Sequence, residues 1–436
     1  MAGGTWETQN KVRPGVYINA ISEPKPLGAV GERGVVTMAV PLSWGEVKKV
    51  VSLTATDNFQ QILGFNLTDP QLVLLNQALK RAQTVLLYRL NEGTKATVTS
   101  GSATFTARYS GTRGNDITMV VRKNMDQSDK WDVQTLVSGE VMDVQTVSNA
   151  SDIKSNGWVV CSGELAATAG TPLVGGTDGT VTNQDHTDYL SAIEVHNFNV
   201  MALTSTDQTL KSVYVNFTKR LRDVEGRKIQ LVLENYPQAN HEGVISVKNG
   251  VILSNGTKLA AHECVAWVSG TTAGASVNQS LTYQVYDEAV DVSPKYTNAQ
   301  IEAALRAGEF VFTQIKGRAV VEQDINTLTS YTPKKNKTFS KNRALRALDG
   351  LANDFKRIFE DYYIGKVDNN PDGRNLFKKE CINQVELYQG MNAIQDFNSQ
   401  TDVVVMEGEE IDGIYVELAA KPVDSIEKIY MKVRVK

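Results

Sequence analysis

Cysteine is scarce: Cys161, Cys264 and Cys381 are the only three in 436 residues. They lie far apart, their number is odd, and no Cys-x-x-Cys occurs. That excludes a disulfide framework and a thiolate zinc site and reads as reduced cytosolic thiols. Histidine is nearly as scarce, with His186, His196, His241 and His262. None has a second histidine four residues away, so each reads as solvated or hydrogen-bonded rather than as a metal ligand. No apolar run approaches the roughly 18 residues of a membrane span. The start, Met-Ala-Gly-Gly-Thr-Trp-Glu, lacks a basic segment followed by an apolar one, which argues against a secretory signal. An excess of charge is missing too. The net charge of −4 favours neither nucleic acid nor an anionic membrane as main partner. Aromatics are 7%, which implies no unusual stacking surface.

Catalytic signatures are also absent. There is no Gly-x-Ser-x-Gly elbow and no phosphate loop ending in Gly-Lys-Ser/Thr. The Gly-rich stretches at 111–114, 175–179 and 270–274 lack dinucleotide spacing and read as turns. No catalytic residue, metal ligand or cofactor is assigned, and the expectation is a protein that is not an enzyme.

What is present is ordinary for a folded multidomain chain: 41% hydrophobic and 22% charged residues. Residues 34–91 read as α/β. Gly34 to Val40 is an apolar strand, Asp69-Pro70 starts a helix, and Thr84 to Leu90 is a buried strand. After Gly93 the texture turns to Thr, Ser, Val and Gly. Phe105, Ala107 and Tyr109 alternate with polar residues, as do Ile117, Met119 and Val121, which predicts an all-β sandwich. Beyond residue 185 the α/β pattern resumes. Asn199 to Leu203 is a strand; Leu210, Val213, Phe217, Leu221 and Val224 form a helical stripe; Lys228 to Leu233 is the next strand, parallel to the first. Gly270 to Gln279 reads as a loop. A helix over 297–306, a hairpin about Lys316-Gly317, two helices after Ser340 and closing strands complete the chain.

Two features point to assembly. From Ile429 the chain alternates: Ile429, Met431, Val433 and Val435 share one side, and Tyr430, Lys432, Arg434 and Lys436 the other. This predicts a half-buried strand that pairs with its own domain's sheet or with a neighbouring subunit's. The pattern alone leaves both open. At the other end, Arg13-Pro14-Gly15 is a turn and Val16-Tyr17-Ile18-Asn19 a short strand. Between Asp324 and Asp349 there is no acidic residue, but Lys334, Lys335, Lys337, Lys341, Arg343 and Arg346 are basic. That stretch is either a solvated face or a surface that meets an acidic partner.

Eight segments in this order resemble phage contractile tail sheath proteins over nearly the whole chain. They are Arg13-Pro14-Gly15-Val16-Tyr17-Ile18, Gly175-Gly176-Thr177-Asp178-Gly179, Asn240-His241-Glu242-Gly243-Val244-Ile245, Asn278-Gln279-Ser280-Leu281-Thr282-Tyr283, Val321-Glu322-Gln323-Asp324-Ile325-Asn326, residues 339–346, Asn369-Asn370-Pro371-Asp372-Gly373-Arg374 and residues 422–430. The nearest type is the sheath of myophages and defective prophages of Gram-positive bacteria. The resemblance implies a discontinuous α/β core domain (26–92 and 175–308) with an outward-facing β-sandwich insertion (93–174). It also implies a small α+β inner, tube-facing domain (309–436) that an N-terminal arm (1–25) joins.

The implied function is that of a structural subunit. Copies would stack as six-fold rings about an inner tail tube and contract to drive that tube through a cell envelope. Implied partners are other copies, the tube, baseplate and tail terminator proteins, with neither membrane nor nucleic acid. Assembly would occur in the bacterial host cytoplasm, ending in a virion tail or a released tail-like particle. The arms, Val16, Tyr17, Ile18, Ile429, Met431, Val433 and Val435, would pair between subunits. Lys341, Arg343 and Arg346 would face the tube. A phage-tail-like bacteriocin sheath fits equally well. A cytosolic α/β enzyme with a β-sandwich accessory domain and a nucleic-acid-binding module are the distant alternatives.

Overall fold

The computed structural model describes residue 31, residues 33–435 and the short segments Ala2–Gly4 and Gly15–Tyr17. Its centre is a seven-stranded sheet in the spatial order Glu309–Phe310, Val244–Val247, Gln230–Glu234, Val200–Ala202, Val35–Val40, Thr84–Arg89, Val50–Leu53. All neighbours are parallel except the edge strand Val50–Leu53. The strands read as continuous apolar runs because both faces are covered. Val36, Met38 and Val40 meet Leu75, Leu79 and Trp267 on one side; Ala39, Leu86 and Tyr88 meet Tyr189 and Tyr214 on the other.

The central covering helix, Ala261–Gly274, corrects the loop expected at 270–279. It carries no charge after Glu263 and is buried on every side from Cys264 to Ala273, so it has no polar face to advertise it. Its glycines are packing devices. A Cβ on Gly270 would stand 2.2 Å from the Ala78 carbonyl oxygen, and one on Gly274 would stand 2.1 Å from that of Arg81. They let the Val73–Leu79 helix and the turn after it lie directly against the central one. The expected stripe from Leu210 is half realised. Leu210, Phe217 and Leu221 are buried, whereas Val213 and Val224 are exposed. The helix Gln208–Lys219 widens into a π-type turn, Arg220–Val224, which shifts the phase and swings Val224 outward.

Glu309–Phe310 closes the sheet, and Phe310, Phe312, Ala319 and Val321 join its core. The hairpin Phe312–Ile315/Arg318–Val321 therefore packs with the α/β body, not with the helices that follow Ser340.

A β-sandwich interrupts the body. One sheet holds four antiparallel strands (Glu140–Val147, Trp131–Val137, Ile117–Lys123, Thr168–Pro172), the other three (Val159–Ser162, Ala103–Ala107, Thr97–Ser100). Its entry and exit are stitched together: the Thr94 hydroxyl donates to the Gly175 carbonyl at 2.6 Å, and its amide to the Thr177 hydroxyl at 3.0 Å. One body residue crosses over. Trp44 is fully buried against Trp158 and Tyr109 in the sandwich core. Replacing 93–174 with a short Gly/Ser linker is expected to leave a folded body that becomes aggregation-prone through bare Trp44. Adding Trp44→Ser should restore solubility. Circular dichroism and light scattering of the two variants check this.

The C-terminal region packs the long helices Asn342–Tyr362 and Pro371–Gly390 under two small antiparallel pairs, Ile394–Gln395/Lys421–Pro422 and Val403–Glu407/Ile414–Leu418. Asn370 caps the second helix by accepting from the Gly373 amide at 2.8 Å, with Pro371 in its first turn. Asn369 holds the hairpin turn, donating to the carbonyls of Ile411 and Gly413, each at 2.8 Å.

Candidate assembly interface

Residues 423–435 form no strand with any of the described residues. Ile429, Met431, Val433 and Val435 are 78, 79, 74 and 95% exposed, and Lys428, Tyr430, Lys432 and Arg434 are exposed as well. An alternating segment with neither face covered lacks the sheet its pattern calls for. The hairpin Val403–Glu407/Ile414–Leu418 shows the converse. Val403 is buried on the helices, yet both outer edges are unpaired among the described residues, and Val404, Met406 and Tyr415 are exposed. At the other end, Gly15–Tyr17, which includes Val16 and Tyr17, pairs in parallel with Ala2–Gly4. Ile18 lies outside the described residues.

Gly31 is tied to the helix Asn342–Tyr362, and the C-terminal segment to Lys341 at that helix's N-cap. The amide of Gly31 donates to Asp354 at 2.8 Å, and Asp354 also accepts from the Tyr388 hydroxyl at 2.8 Å and the Gln384 amide at 3.1 Å. Arg33 donates to the carbonyls of Thr272 and Ala275 at the end of the central helix. Burial pushes its pKa down to about 10, so it stays charged at neutral pH. At the C-terminal root the Val423 amide donates to the Ala393 carbonyl at 3.0 Å. Glu427 accepts from Lys341, from the Thr282 hydroxyl at 2.8 Å and from the Gln323 amide at 2.5 Å. Sequence reasoning passed over Glu427, since a carboxylate in an alternating segment carries no signal of its partners.

The basic stretch does not form one face. Arg346 is buried, donating to the Gln279 carbonyl at 2.5 Å beside Asp324, so it is a core residue and not a tube-facing one. Lys341 is turned inward to Glu427 and Asp424, which removes it as a free surface cation. Lys335 pairs with Glu242 at 2.6 Å. Arg343 is half-buried, reaching the Asn392 carbonyl at 3.5 Å. Lys334 and Lys337 are exposed. Charge spacing in a sequence reports composition, whereas helix phase decides which cations reach solvent.

Asp223, His241 and Glu242 place three potential ligand atoms within 4.8 Å of one another, but their hydrogen bonding does not suit a metal. His241 Nδ1 accepts from the Gly243 amide at 3.0 Å. The neutral ring then carries its proton on Nε2, donating to Asp223 at 3.0 Å, and the lone pair a metal would need is absent. The Lys335 ammonium already neutralises the carboxylates. The cluster is a clasp between the Arg220–Val224 turn, the 240–243 turn and the tether before the long helices.

Burial holds the His241 pKa below its ordinary value, despite Glu242 and Asp223. Asp223 and Glu242 resist the upward pull of burial through His241 and Lys335 and stay below the usual carboxylate range. The signs agree. A histidine depressed in the folded state costs stability as pH falls below its unfolded value of about 6.5, and depressed carboxylates lose their contribution at still lower pH. Thermal melts are expected to fall between pH 7 and 5, and more steeply in the natural chain than in His241→Gln. The thiols offer no nucleophile, because burial pushes Cys161 up to about 11 and Cys264 and Cys381 up to about 12.

The fold is a sheet-centred body, an inserted sandwich and two long helices, with Gly31 tied to the first helix and Glu427 to the Lys341 at its N-cap. The chain matches the phage tail sheath protein central domain over residues 179–327, the sheath C-terminal domain over 334–436, the sheath β-sandwich domain over 91–178 and the domain III N-terminal region of tail sheath protein Gp18 over 33–90. It is 36% identical to the phage-like element PBSX protein XkdK of Bacillus subtilis over the full length of both chains. A sheath tail protein from Desulfitobacterium hafniense superposes with a TM-score of 0.88 at 57% identity, covering 97% of this chain and all of that one. The contracted helical sheath of the anti-feeding prophage shares the fold alone, with a TM-score of 0.58 at 13% identity over 98% of this chain and all of that one. The chain belongs to the phage tail sheath protein family, and its function is that of a structural subunit of a contractile tail sheath.

Proposed function

We propose that copies of this chain form six-fold rings stacked around an inner tail tube, joined by strands exchanged through their terminal segments. The observation that carries this is the uncovered alternation of 428–435, in a chain that also presents a two-stranded hairpin whose outer edges are unpaired among the described residues. A strand donated to a neighbour pairs its backbone and covers its apolar side at once. Main-chain pairing through extended linkers survives large rigid-body movement, so subunit bodies can exchange one set of contacts for a better one. Shortening then draws on the difference between two packings and needs neither nucleotide nor catalytic group.

In this arrangement the sandwich faces outward and the helices after Ser340 face the tube. With Arg346 buried and Lys341 engaged, Lys334, Lys337 and Arg343 are the cations left to meet acidic tube residues. Exposed pairs of this kind contribute about 0.2–1 kcal/mol each, which suits a grip that must later let go. Baseplate and terminator proteins bound the polymer, and assembly takes place in the host cytoplasm. A virion tail and a bacteriocin-like particle call for the same subunit.

Negative-stain microscopy of the purified chain tests the reading. Long hollow cylinders with six-fold end views are expected. Monomers alone at every concentration up to the millimolar range would overturn it.

A further inference from the structure

We propose that Glu427 is a releasable hitch that sets the direction and reach of the C-terminal arm. This rests on the strand-exchange reading above and assigns a positioning residue within it. Among the described residues, Glu427 is the last of the arm that is tied to its own subunit. Its side chain is 10% exposed and receives donors from three separate elements: Thr282, Gln323 after the hairpin, and Lys341 at the start of the long helix. Beyond it every residue from Lys428 to Val435 is exposed.

The next fixed point upstream is the Val423 amide on the Ala393 carbonyl. Between them the chain is held by little else. Ile426 is 88% exposed, the Ser425 hydroxyl is buried without a partner among the described residues, and Asp424 reaches Lys341 at 4.0 Å. No apolar side chain of 424–427 is buried in the subunit. The attachment is therefore polar. Undoing it uncovers almost no hydrophobic surface, unlike pulling a strand from a core. Glu427, burial notwithstanding, is held below the usual carboxylate range by Lys341, Gln323 and Thr282, so it is charged at neutral pH when docked.

Release frees four residues, 424–427, which extend the arm by at most about 14 Å. A shortening polymer changes the distance between a subunit and the neighbour that holds its arm. A strap of fixed length would then have to stretch or let go of its strand. A polar hitch supplies slack while the exchanged strand stays paired. Docked, it also fixes the angle at which 428–435 leaves the body, and so which way Ile429, Met431, Val433 and Val435 face.

The hitch itself is read in the free chain from the distance between spin labels at Asp396 and Val433. Glu427→Gln should broaden that distribution and lengthen its upper limit by about 14 Å. The charge-swapped pair Lys341→Glu/Glu427→Lys should return it towards the natural width. An unchanged distribution in Glu427→Gln would overturn the proposal.

Its role is read in intact particles purified from producing cells and titrated with urea, with the shortened fraction counted by microscopy. Glu427→Ala should shift the midpoint to lower urea. Thr282→Cys/Glu427→Cys, bridged by a short bis-maleimide in a Cys161→Ser background, should assemble but stay long. Shortening of the bridged particles at the midpoint of the unbridged ones would overturn the hitch while leaving strand exchange intact. Strand exchange itself fails if a chain lacking 428–436 still polymerises.

Discussion

A chain lacking residues 428–436 is expected to melt within a degree or two of the full chain and to remain monomeric where the full chain forms cylinders. The folded body loses nothing, because every side chain from Lys428 to Val435 is exposed and Glu427 keeps its partners. The polymer loses the surface that closes it. Burying Ile429, Met431, Val433 and Val435 is worth about 1.5–3 kcal/mol each, or roughly 6–12 kcal/mol per arm. Ordering eight residues costs about 1–2 kcal/mol apiece, or roughly 8–16 kcal/mol, which offsets the whole of that gain and leaves main-chain pairing to supply the net attraction. One arm is thus a weak ligand, and a lattice of arms is a strong one. Two consequences can be measured. Assembly should show a sharp critical concentration, and a free peptide of residues 428–436 should inhibit it only at high micromolar concentration or above. Ordered cylinders from the truncated chain, seen by microscopy after gel filtration, would show that the arm is dispensable.

Arg222→Ala should be the most damaging single change in the body. Arg222 is 2% exposed and makes a two-pronged pair with Asp349, at 2.7 and 2.9 Å, while donating to the Ile229 carbonyl at 2.5 Å. It joins the π-type turn of the α/β body to the long helix Asn342–Tyr362. Removing one partner of a buried ion pair leaves the other uncompensated, at about 3–5 kcal/mol. Asp349→Ala should cost a similar amount. The double change Arg222→Met/Asp349→Leu should recover most of it, because two apolar side chains leave no orphan charge. Urea unfolding of the four proteins separates these outcomes, and additive losses in the double variant would refute the coupling. The same site explains the glycine of Asn240-His241-Glu242-Gly243: a Cβ there would meet the Arg222 side chain at 2.3 Å.

The residue pattern alone determined much of this protein. Continuous apolar runs predicted strands covered on both faces, and the alternation of Phe105, Ala107, Ile117, Met119 and Val121 predicted a half-covered sandwich, since side-chain period follows directly from backbone geometry. The alternation from Ile429 to Val435 predicted a half-buried strand without saying whose sheet it joins, and among the described residues it has no strand partner. Tertiary structure decided what depends on neighbours distant in sequence. Gly270 and Gly274 look like a loop until the Ala78 and Arg81 carbonyls are seen against them. Six basic residues look like one surface, but helix phase and the carboxylates of Asp324, Glu242 and Glu427 take Arg346, Lys335 and Lys341 out of it. Whether a charge is a partner's contact or an internal fastener is set by which opposite charge the fold brings within about 4 Å, and sequence separations of 22, 93 and 86 residues leave no local trace of that.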